Sequence, residues 1–165
     1  MAEAFNDKIL PAAKADRYAT VAQEIAAVLD GEPNLTARMA TVASMLAASF
    51  DHYFWTGFYV VDPEKREELV VGPYQGTLGC LRIAFGQGVC GAAARSRQTQ
   101  IVEDVHAFPG HIACDSRSMS EIVVPVVDAK GHLIAVFDVD SESPAAFDRL
   151  DAEWLERILQ ASFAH

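Results

Sequence analysis

Three cysteines, Cys80, Cys90 and Cys114, fall within 35 residues of one another. Each stands at the end of an expected strand or in a loop, outside the apolar runs. Cys114 has the most telling surroundings, Gly110-His111-Ile112-Ala113-Cys114-Asp115, in a polar stretch with a histidine three residues before it. A cysteine nucleophile needs its thiolate form and enough exposure to reach a substrate. A neighbouring histidine or a helix terminus supplies the first, and an irregular loop supplies the second. A thiol oxidised in turnover also needs a second thiol to resolve it. Cys80 and Cys90 are the candidates. The plainer reading makes each cysteine a small buried hydrophobe. A zinc site drawn from Cys80, Cys90, Cys114, His106 and His111 is a weaker reading, because no C-x-x-C or H-x-x-x-H spacing is present.

Carboxylates form a second group. Glu121 opens the otherwise apolar run Ile122-Val123-Val124-Pro125-Val126, and Asp138 and Asp140 interrupt Ala135-Val136-Phe137-Asp138-Val139-Asp140. The two-residue period of a strand puts Asp138 and Asp140 on one side. Two acids on one face repel unless a cation, a proton or strong donors compensate. Such a pair suits an ammonium group, or a carboxyl kept protonated to act as an acid. The alternative is that both simply face water where the strand ends. Gly86-Gln87-Gly88-Val89-Cys90-Gly91 lacks the Walker ending and the full dinucleotide spacing, and reads as a tight turn before a helix. That helix start still offers backbone donors to an anion.

The elements that must position these residues follow from periodicity. Tyr18, Val21, Ile25, Val28 and Leu29 mark one face of a helix within the first fifty residues, broken by Asp30-Gly31-Glu32-Pro33. Asn34 is placed to cap a second helix with Leu35, Met39, Val42, Leu46 and Phe50 on its apolar side. Strands are expected over Phe54–Val61, Glu68–Gly72, Leu81–Phe85 and Thr99–Val102, with a small-residue helix after Gly91. Residues 104–120 read as a long polar loop, of a length that is often functional. Ile122–Val127 and Leu133–Val139 form a hairpin through Asp128-Ala129-Lys130-Gly131. Phe147, Leu150, Trp154, Leu155, Ile158 and Leu159 mark a final helix. The expected class is α+β: a helical segment over 1–50, a sheet with active-site loops over 54–141, and a C-terminal helix over 147–163, all in one domain.

Composition excludes several functions. The chain has 165 residues, 51% of them apolar and 22% charged, which suits one domain with a sizeable core. Thirteen basic against 23 acidic residues give a formal net charge of -10, so neither nucleic acid nor an anionic membrane is expected as a partner. The start, Met1 to Lys8, lacks the basic opening and apolar block of a signal peptide. A cytoplasmic location is expected, with the odd set of three cysteines mostly reduced there.

Several segments together resemble the free methionine-R-sulfoxide reductases, a family built on the GAF domain. They are Trp55-Thr56-Gly57-Phe58-Tyr59, Gly72-Pro73-Tyr74-Gln75-Gly76, the Gly86–Gly91 turn, Glu103-Asp104-Val105-His106 and Gly110–Asp115. Ser120-Glu121-Ile122-Val123 and Phe137-Asp138-Val139-Asp140-Ser141 complete the set. The match spans about Trp55 to Ser141. The turn from Pro63 to Glu67 is longer than usual for the family, and the N-terminal helices carry no motif.

The resemblance implies a central antiparallel sheet with helices packed on it, commonly as a homodimer. It implies reduction of free L-methionine (R)-S-oxide to L-methionine, with no metal and no bound organic cofactor. Thioredoxin, kept reduced by NADPH through its reductase, supplies the electrons. By the same match Cys114 is the nucleophile, Cys80 the main resolving thiol and Cys90 a further redox thiol. Glu121, Asp138 and Asp140 become substrate-binding carboxylates, and Trp55 the apolar wall for the methyl group. The alternative function is a GAF module that binds a small molecule without turnover or senses redox state through its thiols.

Overall fold

The computed structural model describes residues 11–112 and 114–164, so the reading of Met1–Lys8 and of Ala113 lies outside the described residues. Helix α1 runs Pro11–Leu29 and α2 Leu35–Ser49. Strands β1 (Trp55–Val61), β2 (Glu68–Gln75) and β3 (Arg82–Ala84) follow, then α3 (Gly88–Ser96). Next come β4 (Gln100–Val102), a 3-10 turn over Val105–Ala107, β5 (Ser120–Val127), β6 (Leu133–Ser141) and α4 (Arg149–Phe163). The strands make one six-stranded sheet in the order β3-β2-β1-β6-β5-β4. Every pairing is antiparallel. Among the described residues no helix is long and apolar enough to cross a membrane.

Strand alternation divides the interior in two. Phe58, Ile122, Val124, Val126, Ala135, Phe137 and Val139 face α1, α2 and α4 in the larger core. Trp55, Tyr59, Val123 and Val136 face the other way, toward Val89, Cys90, Ala93 and Ala94 of α3. The odd residues of β6 thus build the scaffold. Its even residues, Asp138 and Asp140, fall on the α3 side, as the two-residue period requires.

Local chemistry sets the element ends. The Asn34 side chain accepts from Ala37 N at 2.9 Å, the cap expected from sequence. Asp148 caps α4 in a reciprocal box with Asp151. Asp151 also draws α1 onto α4: Lys14 Nζ lies 2.6 Å from one carboxylate oxygen, and Tyr18 Oη donates to the other at 2.6 Å. Tyr18 is linked in turn to Tyr53 Oη at 2.5 Å.

Some expectations need correction. Val28 does not share the buried stripe of α1 and is 60% exposed, because it lies about 100° round the helix from the buried Leu29. Leu35, the first helical residue of α2, is exposed and lies outside the buried stripe of Met39, Val42 and Leu46. Strand β2 continues past Gly72 through Pro73 to Gln75. A register shift between Gly57 and Tyr59 on β1 accommodates this stretch. Leu81 lies outside β3 and points to solvent, 73% exposed.

Candidate active site

Three neighbouring strands present the acids. Asp140 on β6 pairs directly with Trp55 on β1 and with Glu121 on β5. One step along, Asp138 pairs with Gly57 and Val123. The sheet register therefore lines up Trp55, Asp140 and Glu121 in a single row across three strands. Glycine at 57 is forced by proximity: a Cβ there would meet the Tyr74 backbone at 2.7 Å, so the β1–β2 ribbon closes only over a bare Cα.

The first turn of α3 covers this face from above. Gly86 (φ +84°) and Gly88 (φ +61°) make the turn into the helix. Gly91 brings the helix against β3, since a Cβ there would stand 2.5 Å from Ala84 O. Cys90, expected at a strand end or in a loop, instead lies in this first turn, 4% exposed. Its sulfur is 3.9 Å from Glu121 Oε1.

Cys80 and Cys114 are joined in a disulfide, with Cα atoms 5.5 Å apart. Cys114 is exposed and Cys80 half-buried, while Cys90 is the free thiol. Two further ties hold the loops that carry the disulfide. Trp55 Nε1 donates to Thr77 O at 2.9 Å, and Thr77 Oγ1 donates to Asp115 Oδ2 at 2.8 Å. Arg117 binds the same carboxylate at 2.9 Å and lies 4.8 Å above the Phe54 ring. Thr77, Asp115 and Arg117 were not singled out from sequence; the Asp-x-Arg spacing of a side-chain-capped turn was the available signal.

These parts enclose a cleft of about 530 Å³, counting its open mouth. Trp55, Cys90, Cys114, Glu121, Asp138 and Asp140 all line it, together with Tyr59, Gly79, His111 and Ile112. Cys80 is behind the wall, reaching the cleft only through its bond to Cys114. Trp55 stacks on both Tyr59 and Tyr74, with ring centroids 5.4 and 4.9 Å away, which fixes the apolar wall.

The electrostatics are those of a crowded acid site. Burial, then the charge of Asp138, pushes the Glu121 carboxyl well up. Burial does the same to Asp138, reinforced by Asp140, and to Asp140, reinforced by Glu121. The three titrate as a set whose protons belong to the group. Asp138 Oδ1 is buried and without a hydrogen-bond partner, although Asp138 is only 4% exposed. Burial and the neighbouring acids also push the Cys90 thiol up, so Cys90 is held as a neutral thiol. His111, lowered by burial and then by His106, is neutral and brings no positive charge to Cys114.

The five residues of the zinc reading do not form a ligand set: Cys80 and Cys114 bond each other, and His106 is exposed. Among the described residues, Cys90, Glu121 and Asp138 form the group with ligand atoms within 4.8 Å of one another.

A six-stranded antiparallel sheet with helices on one face and an acid-lined cleft under α3 on the other defines a GAF domain. The chain matches the GAF domain family over residues 38–161. It is 44% identical over 153 residues to GAF domain-containing protein A of Dictyostelium discoideum, covering 93% of this chain and 94% of that one. It is 39% identical over 146 residues to the free methionine-R-sulfoxide reductase of Escherichia coli, covering 88% and 86%. The free methionine-R-sulfoxide reductase of Neisseria meningitidis, solved in complex with its substrate, superposes with a TM-score of 0.86 at 45% identity, covering 90% of this chain and 87% of that one. The chain belongs to the free methionine-R-sulfoxide reductase family of GAF-domain proteins.

Proposed function

We propose that this protein reduces free L-methionine (R)-S-oxide to L-methionine. The observation that carries the reading is the convergence of an exposed Cys114, bonded to a second cysteine, with the buried Glu121 and Asp138, the half-buried Asp140 and an aromatic wall in one cleft. The substrate is a zwitterion with an apolar methyl group and a polar sulfoxide, and each part has a counterpart here. Glu121, Asp138 and Asp140 receive the ammonium, which relieves their mutual repulsion and satisfies the unpartnered Asp138 oxygen. The first turn of α3 offers backbone N–H groups to the carboxylate. Trp55 packs the methyl.

The Cys114 thiolate attacks the sulfoxide sulfur. A carboxyl of the acid group, kept protonated by burial, gives a proton to the oxygen. Oxygen transfers to Cys114 as a sulfenic acid and methionine leaves. The Cys80 thiol then displaces that oxygen as water, leaving the Cys80–Cys114 disulfide, the state seen in this structure. Cys90 is a further redox thiol in this scheme, although its buried neutral thiol suits it poorly to first attack. Thioredoxin, reduced by NADPH through its reductase, restores the dithiol, and no bound organic cofactor or metal takes part in the scheme. The protein works in the cytoplasm as a homodimer, without nucleic-acid or membrane partners.

The test is NADPH consumption with thioredoxin, thioredoxin reductase and free methionine R-sulfoxide. The S epimer and the N-acetylated substrate are expected to be poor, because a cleft that encloses both amino acid charges leaves no room for a chain. Equal rates on free and N-acetylated substrate would overturn the reading.

A further inference from the structure

Among the described residues, six large apolar side chains are exposed, and three of them flank the disulfide. Leu78 is 80% exposed and two residues before Cys80; Leu81 is 73% exposed and directly after it. Ile112 is 40% exposed and two residues before Cys114. Exposed apolar groups gathered in one place mark an interaction surface more often than the same groups scattered.

Several features keep this patch presented. Gly79 sits against the Trp55 and Tyr59 rings, where a Cβ would stand 3.0 Å from Trp55 Cζ2. Gly79 is itself buried there, while Leu78 before it is exposed and Cys80 after it packs half-buried against the core. Leu81 O accepts from Val71 N at 2.9 Å, so the backbone is anchored while the side chain is free. Asp115, the acid nearest Cys114, is held by Arg117 at 2.9 Å, which removes an unpaired charge from the rim. A chain with a net charge of -10 therefore exposes three apolar side chains beside the cysteines of its disulfide, with the nearby Asp115 charge paired.

Substrate holding accounts for two of the three residues, since Leu78 and Ile112 line the cleft. It does not account for Leu81, which is not among the lining residues. We propose that Leu81, with Leu78 and Ile112, forms the docking face for a dithiol reductant protein of the thioredoxin class. This rests on the proposed function for the identity of the partner, and on the following chemistry for its position. A reductant sulfur must come into bonding contact with the disulfide, so the surface that carries it must cover the residues beside Cys80 and Cys114. Its attacking thiolate bonds to one sulfur of the pair while the other leaves as a thiolate. The reductant's second thiol then breaks the mixed disulfide. The reductant ends as a disulfide, and its two thiol protons end on Cys80 and Cys114.

The experiment uses the pre-oxidised protein with no sulfoxide present, so it does not depend on the proposed substrate. NADPH oxidation by thioredoxin reductase reports reduction of the disulfide at varied thioredoxin concentrations. Leu81→Ser is expected to raise the apparent KM for thioredoxin by about fivefold or more, as loss of an anchoring interface side chain does. Reduction by dithiothreitol should keep its wild-type rate. Val28→Ser, at a 60% exposed position on α1, is the control and should match wild type with both reductants. Unchanged thioredoxin kinetics in Leu81→Ser would overturn the proposal. So would an equal slowing with dithiothreitol, which would place the effect in the disulfide itself. A change of sedimentation coefficient in Leu81→Ser would overturn it too, by giving the patch to a second copy of the chain.

Discussion

Thr77 Oγ1 donates to Asp115 Oδ2 at 2.8 Å, three residues before Cys80 and one after Cys114. This hydrogen bond joins the same two loops as the disulfide and contains no bond that reduction breaks. It is expected to hold the two sulfurs near each other after reduction. Thr77→Val removes the donor and keeps the shape. The expected result is normal release of methionine in the first turnover and disulfide formation slowed by about fivefold, the rate equivalent of one hydrogen bond of roughly 1 kcal/mol. Rapid quench with thiol titration separates the two steps.

The cysteines should differ in single turnover. Cys114→Ser is expected to release no methionine, because an alcohol does not replace the thiolate. Cys80→Ser should release about one methionine per site and then stall, as the resolving thiol is missing. Cys90→Ser should keep its burst, since a buried neutral thiol beside Glu121 is poorly suited to attack. A full burst from Cys114→Ser with none from Cys90→Ser would move the nucleophile to Cys90.

The acid group sets a distinctive pH dependence of stability. Glu121 is raised in the folded state by burial and by Asp138, so the folded protein keeps a proton that the unfolded chain releases near pH 4. Stability from this group is full below the unfolded pKa and falls as pH rises toward the folded one. Glu121→Gln should gain stability relative to wild type as pH is raised from about 4 to 8. The same variant should lose substrate use, with a cost on the order of 2–5 kcal/mol if a desolvated ammonium loses its partner. Thermal melting across that pH range, beside steady-state kinetics, checks both. A pH-independent difference in melting temperature would contradict the assignment.

Asp151 should matter for folding and not for chemistry. Its side chain is fully buried and holds Lys14, whose side chain is only 9% exposed. Asp151→Ala strands a buried ammonium and two linked tyrosine hydroxyls, at a cost of about 3–5 kcal/mol. Lowered melting temperature with unchanged kinetics at low temperature is the expected pattern. A double variant, Asp151→Ala with Lys14→Met, should recover part of the loss because the charge is gone.

The two-residue period of β6 was enough to place Asp138 and Asp140 together on one face, and apolar spacing found the helices that pack behind it. The motif segments from Trp55 to Ser141 pointed to the family and to the residues around the cleft. These are local or near-local properties of the chain, set by side-chain direction and turn chemistry. Only the tertiary structure decided that Glu121 stands opposite Asp140, because that depends on the β5–β6 register. It alone put Cys90 in a buried helical turn beside Glu121, and Cys80 against Cys114 across 34 residues of sequence. It also made Leu81 a surface residue, although its neighbours read as a strand. Pairing and burial arise between segments distant in sequence, so no local spacing encodes which acid is desolvated, which thiol is free or which apolar side chain meets water.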